Sequence, residues 1–585
     1  MSFFDALKAD ELASTVQYMD PVSFEAGALI LAEGEPGNEC YLIDDGRVRL
    51  EVHSNELDSD AVLDHLEPGQ VLGEFCLFDR GVRSASAYAD TAVTTRRLTR
   101  ASFDTLCDEK PRLGMTLLTH MAGDFTHKLR QMNLKLKHFI FRGKTPAWLN
   151  DMVARARTAQ VEFADWPEDQ VDAIIKDIAE AVLARTEELA AAAVKETGLG
   201  VFEHKVQKIT LACQLTRDDL VGRTAHGVLD PATQHLVTEI ACPVGVVLGL
   251  IPLTNPVPTM VFKSLICLKS RNALIVSCHR NALGVGNQVG ELIQGVLAGY
   301  GANPDLVQWV KERGSRATTA ALMAHPGVAM ILATGGPSMV KAAYSSGTPA
   351  IGVGAGNAPV WVCPDADPAA VARMVIASKS FDNGVICGSD NNLLVDAAVR
   401  RAFVEQLEAN GAAVLTGYEI DRFTESVFDE TDHLRRELIG QSAVEILRQA
   451  GLSRGEDVKL IIVPVENDKV DGLWGLEKLA PIISLFTTSG VEDALALCRR
   501  ILTNMGSGHT AIIHTNDREL ALRFAHEMRA SRVLQNCGGA TGCIGIGNGL
   551  RHSWTLGCGS WGGTSTTDNV GYQNLLNIKR LAVGT

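Results

Sequence analysis

The sequence has 585 residues, which is more than one domain normally contains, so we expect roughly two to four domains. A composition of 46% hydrophobic and 21% charged residues excludes a chain that is disordered throughout. The formal net charge is −15 and no long run of Lys or Arg is present, which argues against a protein that binds nucleic acid.

The thirteen cysteines are spread along the chain from Cys40 to Cys558 without paired spacings. An odd number with such spacings is typical of reduced thiols, so we predict a cytoplasmic protein without a disulfide framework. The first residues lack the apolar core of a signal peptide, and the longest apolar stretch, at 240–253, is short and broken by two prolines. We therefore predict no membrane-spanning segment.

Residues 22 to 100 contain short apolar stretches separated by turn sequences at 34–38, 44–47 and 67–69. Strands at such intervals are typical of an all-β roll or barrel. From Arg100 to about Arg142 the apolar residues recur at helical spacing. We predict an N-terminal β-roll with helices over residues 1–125 and a helical linker over 126–149.

A loop within this β domain has the sequence LGEFCLFDRGVRSAS, at 72–86. Gly73 permits a tight turn, Glu74 can hold a sugar hydroxyl, and Arg83 with Ser84 can hold a phosphate. The loop resembles the phosphate-binding cassette of the cyclic nucleotide-binding domain family, and the resemblance covers roughly residues 10–125. It implies that Gly73, Glu74, Arg83 and Ser84 bind cAMP or cGMP as an effector. Val82, where the family often has a proline, leaves open a domain that has lost its ligand.

After residue 146 the sequence alternates long helical patterns with short apolar runs. Two sets of strands are predicted: Val244–Ile251, Ala273–Ser277, Val328–Leu332 and Val360–Val362, then Asn392–Val395, Val458–Val463, Ile482–Phe486 and Thr510–Ile513. Such alternation predicts an α/β fold whose parallel sheets are covered by helices on both faces.

Cys387 follows a glycine-containing turn in SFDNGVICGS, at 380–389. The thiolate of such a cysteine can attack a carbonyl carbon. Further motifs accompany it: IPLTNP at 251–256, ATGGP at 333–337, MVKAAYSSG at 339–347, GVGAGN at 352–357, GLEKLAP at 475–481, GSGHT at 506–510 and TLGCGSWGGTS at 555–565. Together they resemble the aldehyde dehydrogenase superfamily, and most closely its CoA-acylating branch, including the aldehyde half of bifunctional alcohol/aldehyde dehydrogenases.

This resemblance covers residues 150–585 and implies a Rossmann-like NAD(P)-binding domain at 150–375, a catalytic domain at 376–550 and a C-terminal return and oligomerisation segment at 551–585. It implies that Cys387 is the nucleophile and that Asn255 donates to the oxyanion. His509 is expected to remove the CoA proton or to shape the site. The residues expected to bind the cofactor are Thr254, Ser277, His279, Arg280, Thr334, Gly335, Gly336 and Glu477. NAD and NADP both remain open. No metal is expected, because Cys537, Cys543 and Cys558 lack zinc-ligand spacing.

Gly352 stands where hydrolytic aldehyde dehydrogenases have the glutamate that activates water. Without this base, CoA is the expected second nucleophile, and the expected reaction is aldehyde, CoA and NAD+ to acyl-CoA and NADH, regulated by a cyclic nucleotide. Acetaldehyde is the first choice of substrate; longer aldehydes, succinate semialdehyde and sulfoacetaldehyde stay open. The alternatives are a hydrolysing aldehyde dehydrogenase and a cyclic-nucleotide sensor with a structural α/β part.

The family resemblance further implies a homo-oligomer, either a dimer, a tetramer or a filament. The sequence ends just after the aldehyde dehydrogenase pattern. We therefore expect any alcohol-forming step to belong to a separate alcohol dehydrogenase.

Overall fold

The protein was studied as a computed structural model, which describes residues 14–54, 59–74, 82–119, 146–229, 236–311, 314–430 and 433–584. The chain divides into two compact units, Met1–Ile140 and Phe141–Thr585. The predicted linker at 126–149 lies outside the described residues up to residue 145. A helix, Ala147–Phe163, follows it.

Antiparallel strands make up most of the first unit. Its described strands are β1 Asp20–Phe24, β2 Leu29–Leu31, β3 Glu39–Asp45, β4 Val48–Ser54, β5 Ser59–Leu66, β6 Val71–Leu72, β7 Ser86–Ala89 and β8 Val93–Thr99. They form two sheets, with orders β1-β8-β3-β6 and β2-β7-β4-β5. Two helices follow, Arg100–Glu109 and 111–119. The predicted β-roll with helices is confirmed.

Strand β3 shows why this sequence makes a roll. Its side chains alternate between two faces, as they do in any strand. Tyr41 and Ile43 pack in the core shared by the two sheets, whereas Cys40 and Leu42 pack in a second core that contains Phe103 from the following helix. Both faces of the strand are therefore buried.

Two parallel sheets form the framework of the second unit. The strands of this unit are β9 Gly227–Val228, β10 Val237–Pro243, β11 Val246–Ile251, β12 Ala273–Cys278, β13 Val307–Trp309, β14 Met330–Ala333, β15 Ala350–Gly352, β16 Ala358–Val362, β17 Asp390–Asp396, β18 Ala412–Val414, β19 Leu460–Pro464, β20 Ile482–Thr488, β21 Gly508–His514, β22 Ala530–Gln535 and β23 Leu576–Ala582. The five-stranded sheet has the order β13-β12-β11-β14-β15 and the seven-stranded sheet β18-β19-β20-β17-β16-β21-β22.

Helices cover these sheets. Those of eight or more residues are Ala147–Phe163, Glu168–Leu183, Thr186–Thr197, Phe202–Leu220, Pro256–Lys269, Leu283–Gly299, Arg316–Met323, Pro337–Tyr344, Pro368–Ser380, Ala397–Ala409, Tyr418–Val427, Val491–Asn504 and Arg518–Glu527. The helix Pro256–Lys269 is buried along its whole length. A helix that is apolar on all sides belongs in the interior, which places this one at the centre of the fold.

The strands predicted from the apolar runs are all present, and the predicted α/β fold class is confirmed. The change from one sheet to the other falls between residues 352 and 358, earlier than the predicted domain boundary at 375, because β16 already pairs with β17 and β21. The C-terminal strand β23 returns to β10, with which it pairs from Val237↔Ala582 to Pro243↔Leu576. No helix in the described part of the chain is long and apolar enough to cross a membrane.

Candidate active site

The carboxyl ends of β11 and β14 form a crevice in the five-stranded sheet. The chain proceeds from β11 outward to β13 on one side, then crosses over to β14 and β15 on the other. Ligands of open parallel sheets bind at the carboxyl edge beside such a switch point. Thr254 and Asn255 follow β11, and Thr334, Gly335 and Gly336 follow β14, so five of the predicted site residues lie at this edge.

Cys387 lies on the opposite side of the site, at the amino edge of the seven-stranded sheet. It is held just before β17, between the buried Ile386 and the buried Gly388. His509 lies at the start of β21, and β16 pairs with both strands. His509 Nε2 is 3.2 Å from Cys387 Sγ, and His509 Nδ1 is 2.9 Å from Thr510 Oγ1. The structure therefore brings the predicted nucleophile and the predicted base into contact.

Burial controls the protonation of this pair. It raises the pKa of the Cys387 thiol well above its ordinary value, and nearby Cys543 and Glu477 act in the same direction. It lowers the pKa of the His509 imidazole well below its ordinary value, with a further contribution from the positive charge of Arg532. At neutral pH the pair is therefore a thiol beside a neutral imidazole.

Glu477 shares this buried environment. Burial raises its pKa to about 8, although Lys379 and Lys478 oppose the shift. A Cβ at Gly356 would lie 1.7 Å from the carbonyl oxygen of Cys387 and 2.9 Å from Glu477 Oε1. Only glycine fits at position 356, and its close approach sets Glu477 beside the cysteine loop.

Tyr344 lies over Gly352, the residue predicted to stand in place of a water-activating glutamate. A Cβ at Gly352 would lie 2.6 Å from Val340 Cγ1 and 2.9 Å from Tyr344 Cε2. Tyr344 Oη accepts hydrogen bonds from the backbone N–H groups of Gly352, at 2.8 Å, and Ser565, at 2.9 Å. These bonds fix the ring over Gly352, so a side chain at position 352 has no room.

The crevice fits a dinucleotide. Thr334 Oγ1 is buried and makes no hydrogen bond to any described residue. A Cβ at Gly336, the residue before the helix Pro337–Tyr344, would touch nothing within 4 Å. An unsatisfied hydroxyl beside open space at a switch point is what a bound cofactor would complete.

The residues predicted for the adenosine end follow the next strand, β12. Ser277 Oγ lies 3.4 Å from Thr319 Oγ1. His279 Nδ1 accepts a hydrogen bond from the N–H of Asn281, and His279 and Arg280 are exposed. These three residues lie at the same carboxyl edge, one strand away from Thr254 and Asn255.

Three buried charged residues of this region were missed from the sequence: Lys205, Lys208 and Asp382. Lys208 Nζ donates to Asn255 Oδ1 at 2.7 Å and also to Asp382 Oδ2. Lys205 Nζ donates to the Thr254 carbonyl at 2.7 Å and lies 2.7 Å from Asp382 Oδ2. Both lysines lie on the same helix with i, i+3 spacing. This spacing is the sequence signal that could have indicated a buried cluster of charged residues.

In the first unit, the predicted phosphate loop is described only on either side of residues 75–81. Gly73 has a φ of +76°, a conformation that favours glycine. Arg83 is buried, and its guanidinium donates to the carbonyls of Gly73, at 3.0 Å, and Glu39, at 2.8 Å. Glu74 is half-buried and Ser84 is exposed. The structure thus brings together Gly73 and Arg83 of the four predicted residues.

No disulfide links the cysteines of the described residues. Within the same residues, no group of three or more His, Cys, Asp or Glu side chains could hold a metal ion.

Residues 141–562, which include every residue of the cysteine site, match the profile of the Aldehyde dehydrogenase family. The chain belongs to the aldehyde dehydrogenase family. Residues 21–110 match the profile of the Cyclic nucleotide-binding domain, so this aldehyde dehydrogenase carries a cyclic nucleotide-binding domain at its N-terminal side.

Three known proteins similar to this aldehyde dehydrogenase bear on its function. Aldehyde-alcohol dehydrogenase 2 of Entamoeba histolytica is 37% identical over 74% of this chain and 51% of its own. The acetylating aldehyde dehydrogenase of Geobacillus thermoglucosidasius is 35% identical, with a TM-score of 0.73 over 75% of this chain and 96% of its own. The propionaldehyde dehydrogenase of Rhodopseudomonas palustris, solved with bound CoA and an acylated cysteine, is 27% identical, with a TM-score of 0.67 over 74% and 97%. The chain thus spans about half the length of the curated relative.

Proposed function

We propose that the chain is a CoA-acylating aldehyde dehydrogenase, which converts an aldehyde, CoA and NAD+ into acyl-CoA, NADH and a proton. The observation that carries the proposal is the contact of Cys387 Sγ with His509 Nε2 in a site where Tyr344 covers Gly352. The names of the acetylating relative and of the relative solved with CoA and an acylated cysteine support it.

In the first half of the reaction, Cys387 Sγ attacks the aldehyde carbon while its proton passes to His509 Nε2. The proton leaves as the S–C bond forms, because burial disfavours a free thiolate beforehand. The resulting alkoxide is stabilised by the Asn255 side-chain amide, a type of donor that usually contributes several kcal/mol. A nicotinamide held in the crevice would supply the hydride acceptor, and loss of a hydride from the adduct would leave a thioester on Cys387. His509 then releases its proton to solvent.

In the second half, His509 accepts the proton of the CoA thiol, and the CoA sulfur attacks the thioester carbon. The tetrahedral adduct collapses, the bond to Cys387 Sγ breaks, and acyl-CoA leaves. The Cys387 thiolate takes the proton back from His509. His509 suits this exchange since its lowered pKa keeps the imidazole neutral, and therefore able to accept a proton, at neutral pH.

The residues around the crevice support NAD(P) as the redox partner. Thr254, Thr334 and Glu477 would hold the nicotinamide end, with Gly335 and Gly336 leaving room for it, and Ser277, His279 and Arg280 would face the adenosine end. We further propose acetaldehyde as the aldehyde, on the strength of the acetylating relative.

The test is NADH formation, followed by absorbance, over a panel of aldehydes that starts with acetaldehyde, with and without CoA. We expect CoA to be required for sustained turnover and a thioester to be the product seen by mass spectrometry. Cys387→Ser should abolish turnover, while Cys242→Ala, at a partly buried cysteine in β10, should retain it. CoA-independent turnover that yields free acid would favour a hydrolytic enzyme instead.

We propose in addition that the first unit binds a cyclic nucleotide through Arg83 and that this binding changes the activity of the dehydrogenase. The supporting observation is a buried guanidinium that, among the described residues, has only backbone carbonyls as partners. Its positive charge remains available for a phosphate.

Calorimetry with cAMP and with cGMP tests this second proposal, and the NADH assay with and without the same nucleotides tests the regulation. Arg83→Ala should abolish binding. Arg96→Ala, which removes a half-buried arginine paired with Asp44 in the same unit, should leave it unchanged. Binding without any change in kinetics would refute the regulation alone.

A further inference from the structure

The helix Phe202–Leu220 contributes two buried lysines to the active-site region, although no catalytic motif lies on it. Lys205 and Lys208 are each at most 2% exposed, and both reach the same carboxylate oxygen, Asp382 Oδ2. Their second partners differ. Lys205 Nζ donates to the backbone carbonyl of Thr254, whereas Lys208 Nζ donates to the side-chain oxygen of Asn255.

The contact between Lys208 and Asn255 decides which way the Asn255 amide faces. An ammonium group has only donors, so it must meet the amide oxygen and never the NH2 group. With the oxygen held by Lys208, the amide nitrogen faces away, and one of its N–H groups donates weakly to Thr254 Oγ1, at 3.3 Å. The other N–H is left to donate to a ligand, which is what an oxyanion donor requires.

Asp382 couples this arrangement to the cysteine loop. The residue lies five positions before Cys387 and has a φ of +51°, which is costly for a residue other than glycine. Three bonds from the helix side hold it in place: His204 Nδ1 accepts from the Asp382 N–H at 2.9 Å, Val201 N–H donates to Oδ1 at 2.8 Å, and Lys208 donates to Oδ2.

We propose that Lys208 is a positioning residue, which fixes the orientation of the Asn255 amide and sets it relative to the Cys387 loop through Asp382. The inference depends on the proposed acylating reaction, in which Asn255 donates to the oxyanion. Lys208 itself does not touch the reacting atoms. It acts through Asn255, so its removal should matter only while Asn255 is present.

The test is a double-mutant cycle of Lys208→Met and Asn255→Ala, read out as kcat for CoA-dependent NADH formation. Asn255→Ala should lower kcat by about 10²–10³-fold, the usual effect of losing an oxyanion donor. Lys208→Met should lower it about 10- to 100-fold, because misplacement of a catalytic group costs up to that much. In the Asn255→Ala background, Lys208→Met should have little further effect.

Lys205→Met is the matched control, since it also removes a cation from Asp382 Oδ2 but leaves the Asn255 amide bond intact. It should lower kcat less than Lys208→Met does. Lys208→Gln keeps N–H donors without the charge and should recover part of the lost activity; if Lys208→Met does not fold, Lys208→Gln takes its place in the cycle. Dissociation constants for the nicotinamide cofactor, measured by fluorescence, should be unchanged in the folded Lys208 variants.

Equal losses from Lys208→Met with and without Asn255 would overturn the inference and indicate a purely structural role. That outcome is distinct from failure of the proposed function, in which the parent chain would show no CoA-dependent NADH formation. If the parent chain is active and Asn255→Ala does not lower kcat, the proposed roles of Asn255 and Lys208 are both wrong. The acylating reaction would then still stand.

Discussion

Two buried cations, one in each unit of this chain, have opposite kinds of partner. In the first unit, Arg83 donates to two backbone carbonyls and makes no ion pair with any described residue. In the second, Lys208 is paired with the carboxylate of Asp382. A cation with only carbonyl partners keeps its charge for a ligand, whereas a paired cation is neutralised where it stands. Arg83 is therefore suited to an anionic ligand, whereas the charge of Lys208 is engaged by Asp382 and Asn255.

The titratable groups at and around Cys387 also differ from Arg83, because burial favours their uncharged forms. The pKa of the Cys387 thiol is raised, that of Glu477 is raised to about 8, and that of His509 is lowered. The two acids therefore hold their protons at pH 7 and the base lacks one, so all three groups are uncharged. Burial is the largest cause of each shift, so these three groups are uncharged because of desolvation, whereas Lys208 keeps its partner Asp382.

The largest predicted effect is that of Asp382→Asn, which leaves the buried ammonium groups of Lys205 and Lys208 without their counterion. Breaking a buried pair in this way costs roughly 3–5 kcal/mol, so we expect a marked fall in the unfolding temperature of the dehydrogenase unit. Scanning calorimetry would measure it. Asp165→Asn, at a carboxylate that is 95% exposed, serves as the control and should change stability little. Similar effects of the two variants would contradict the importance of the pair.

A carboxylate can also be introduced into the neutral site, by Gly352→Glu. The new Cβ would meet Val340 Cγ1 at 2.6 Å and the ring of Tyr344 at 2.9 Å. Overpacking of this kind costs about 1–3 kcal/mol of stability, so we expect a lower unfolding temperature, reduced CoA-dependent turnover and no gain of free acid.

Product analysis by NMR checks that prediction. The triple variant Gly352→Glu with Tyr344→Ala and Val340→Ala removes both contacts and should produce some acid without CoA. Acid formed by Gly352→Glu alone would show that Tyr344 does not close the position.

The fold could be predicted from the sequence to a large extent, because apolar runs such as Val246–Ile251 mark strands buried on both faces. The short strands β13, β15, β18 and β22 were not predicted. The first three have three residues each, and β22 alternates buried and half-buried side chains. Runs this short, or this weakly apolar, resemble loops in a single sequence.

The site could be predicted only where a motif marked it. Cys387, Asn255 and His509 lie in motif segments, and the structure places Cys387 and His509 in contact. Lys208 lies on an amphipathic helix, where a lysine is normally solvent-exposed. Its role depends on a partner 174 positions away in sequence, Asp382. Single-sequence patterns report neighbours along the chain, so a contact of that separation could not be read from them.

The neutral state of the thiol predicts a specific pH dependence of alkylation. Only the thiolate reacts with iodoacetamide, and the raised pKa of Cys387 means that the thiolate fraction keeps growing as pH rises. We expect the alkylation rate at the Cys387 peptide, measured by mass spectrometry without cofactor, to rise about tenfold per unit from pH 7 to 9. Glutathione in the same samples should begin to level off near its ordinary thiol pKa of about 8.5. A plateau at Cys387 below pH 8 would contradict the neutral pair.

The smallest predicted effect is that of ionic strength, which should weaken cyclic nucleotide binding and leave the KM for the aldehyde unchanged. Arg83, which has no ion-pair partner among the described residues, attracts the single negative charge of a cyclic nucleotide phosphate. This attraction is screened over about 10 Å at 0.1 M and about 3 Å at 1 M ionic strength. We therefore expect the calorimetric Kd for the cyclic nucleotide to rise roughly two- to threefold between those concentrations. The KM for an uncharged aldehyde, measured at saturating CoA, should stay constant, because the aldehyde carries no charge that salt could screen. A Kd that does not change with salt concentration would contradict an electrostatic contribution of Arg83, and the difference proposed between Arg83 and Lys208 would then disappear.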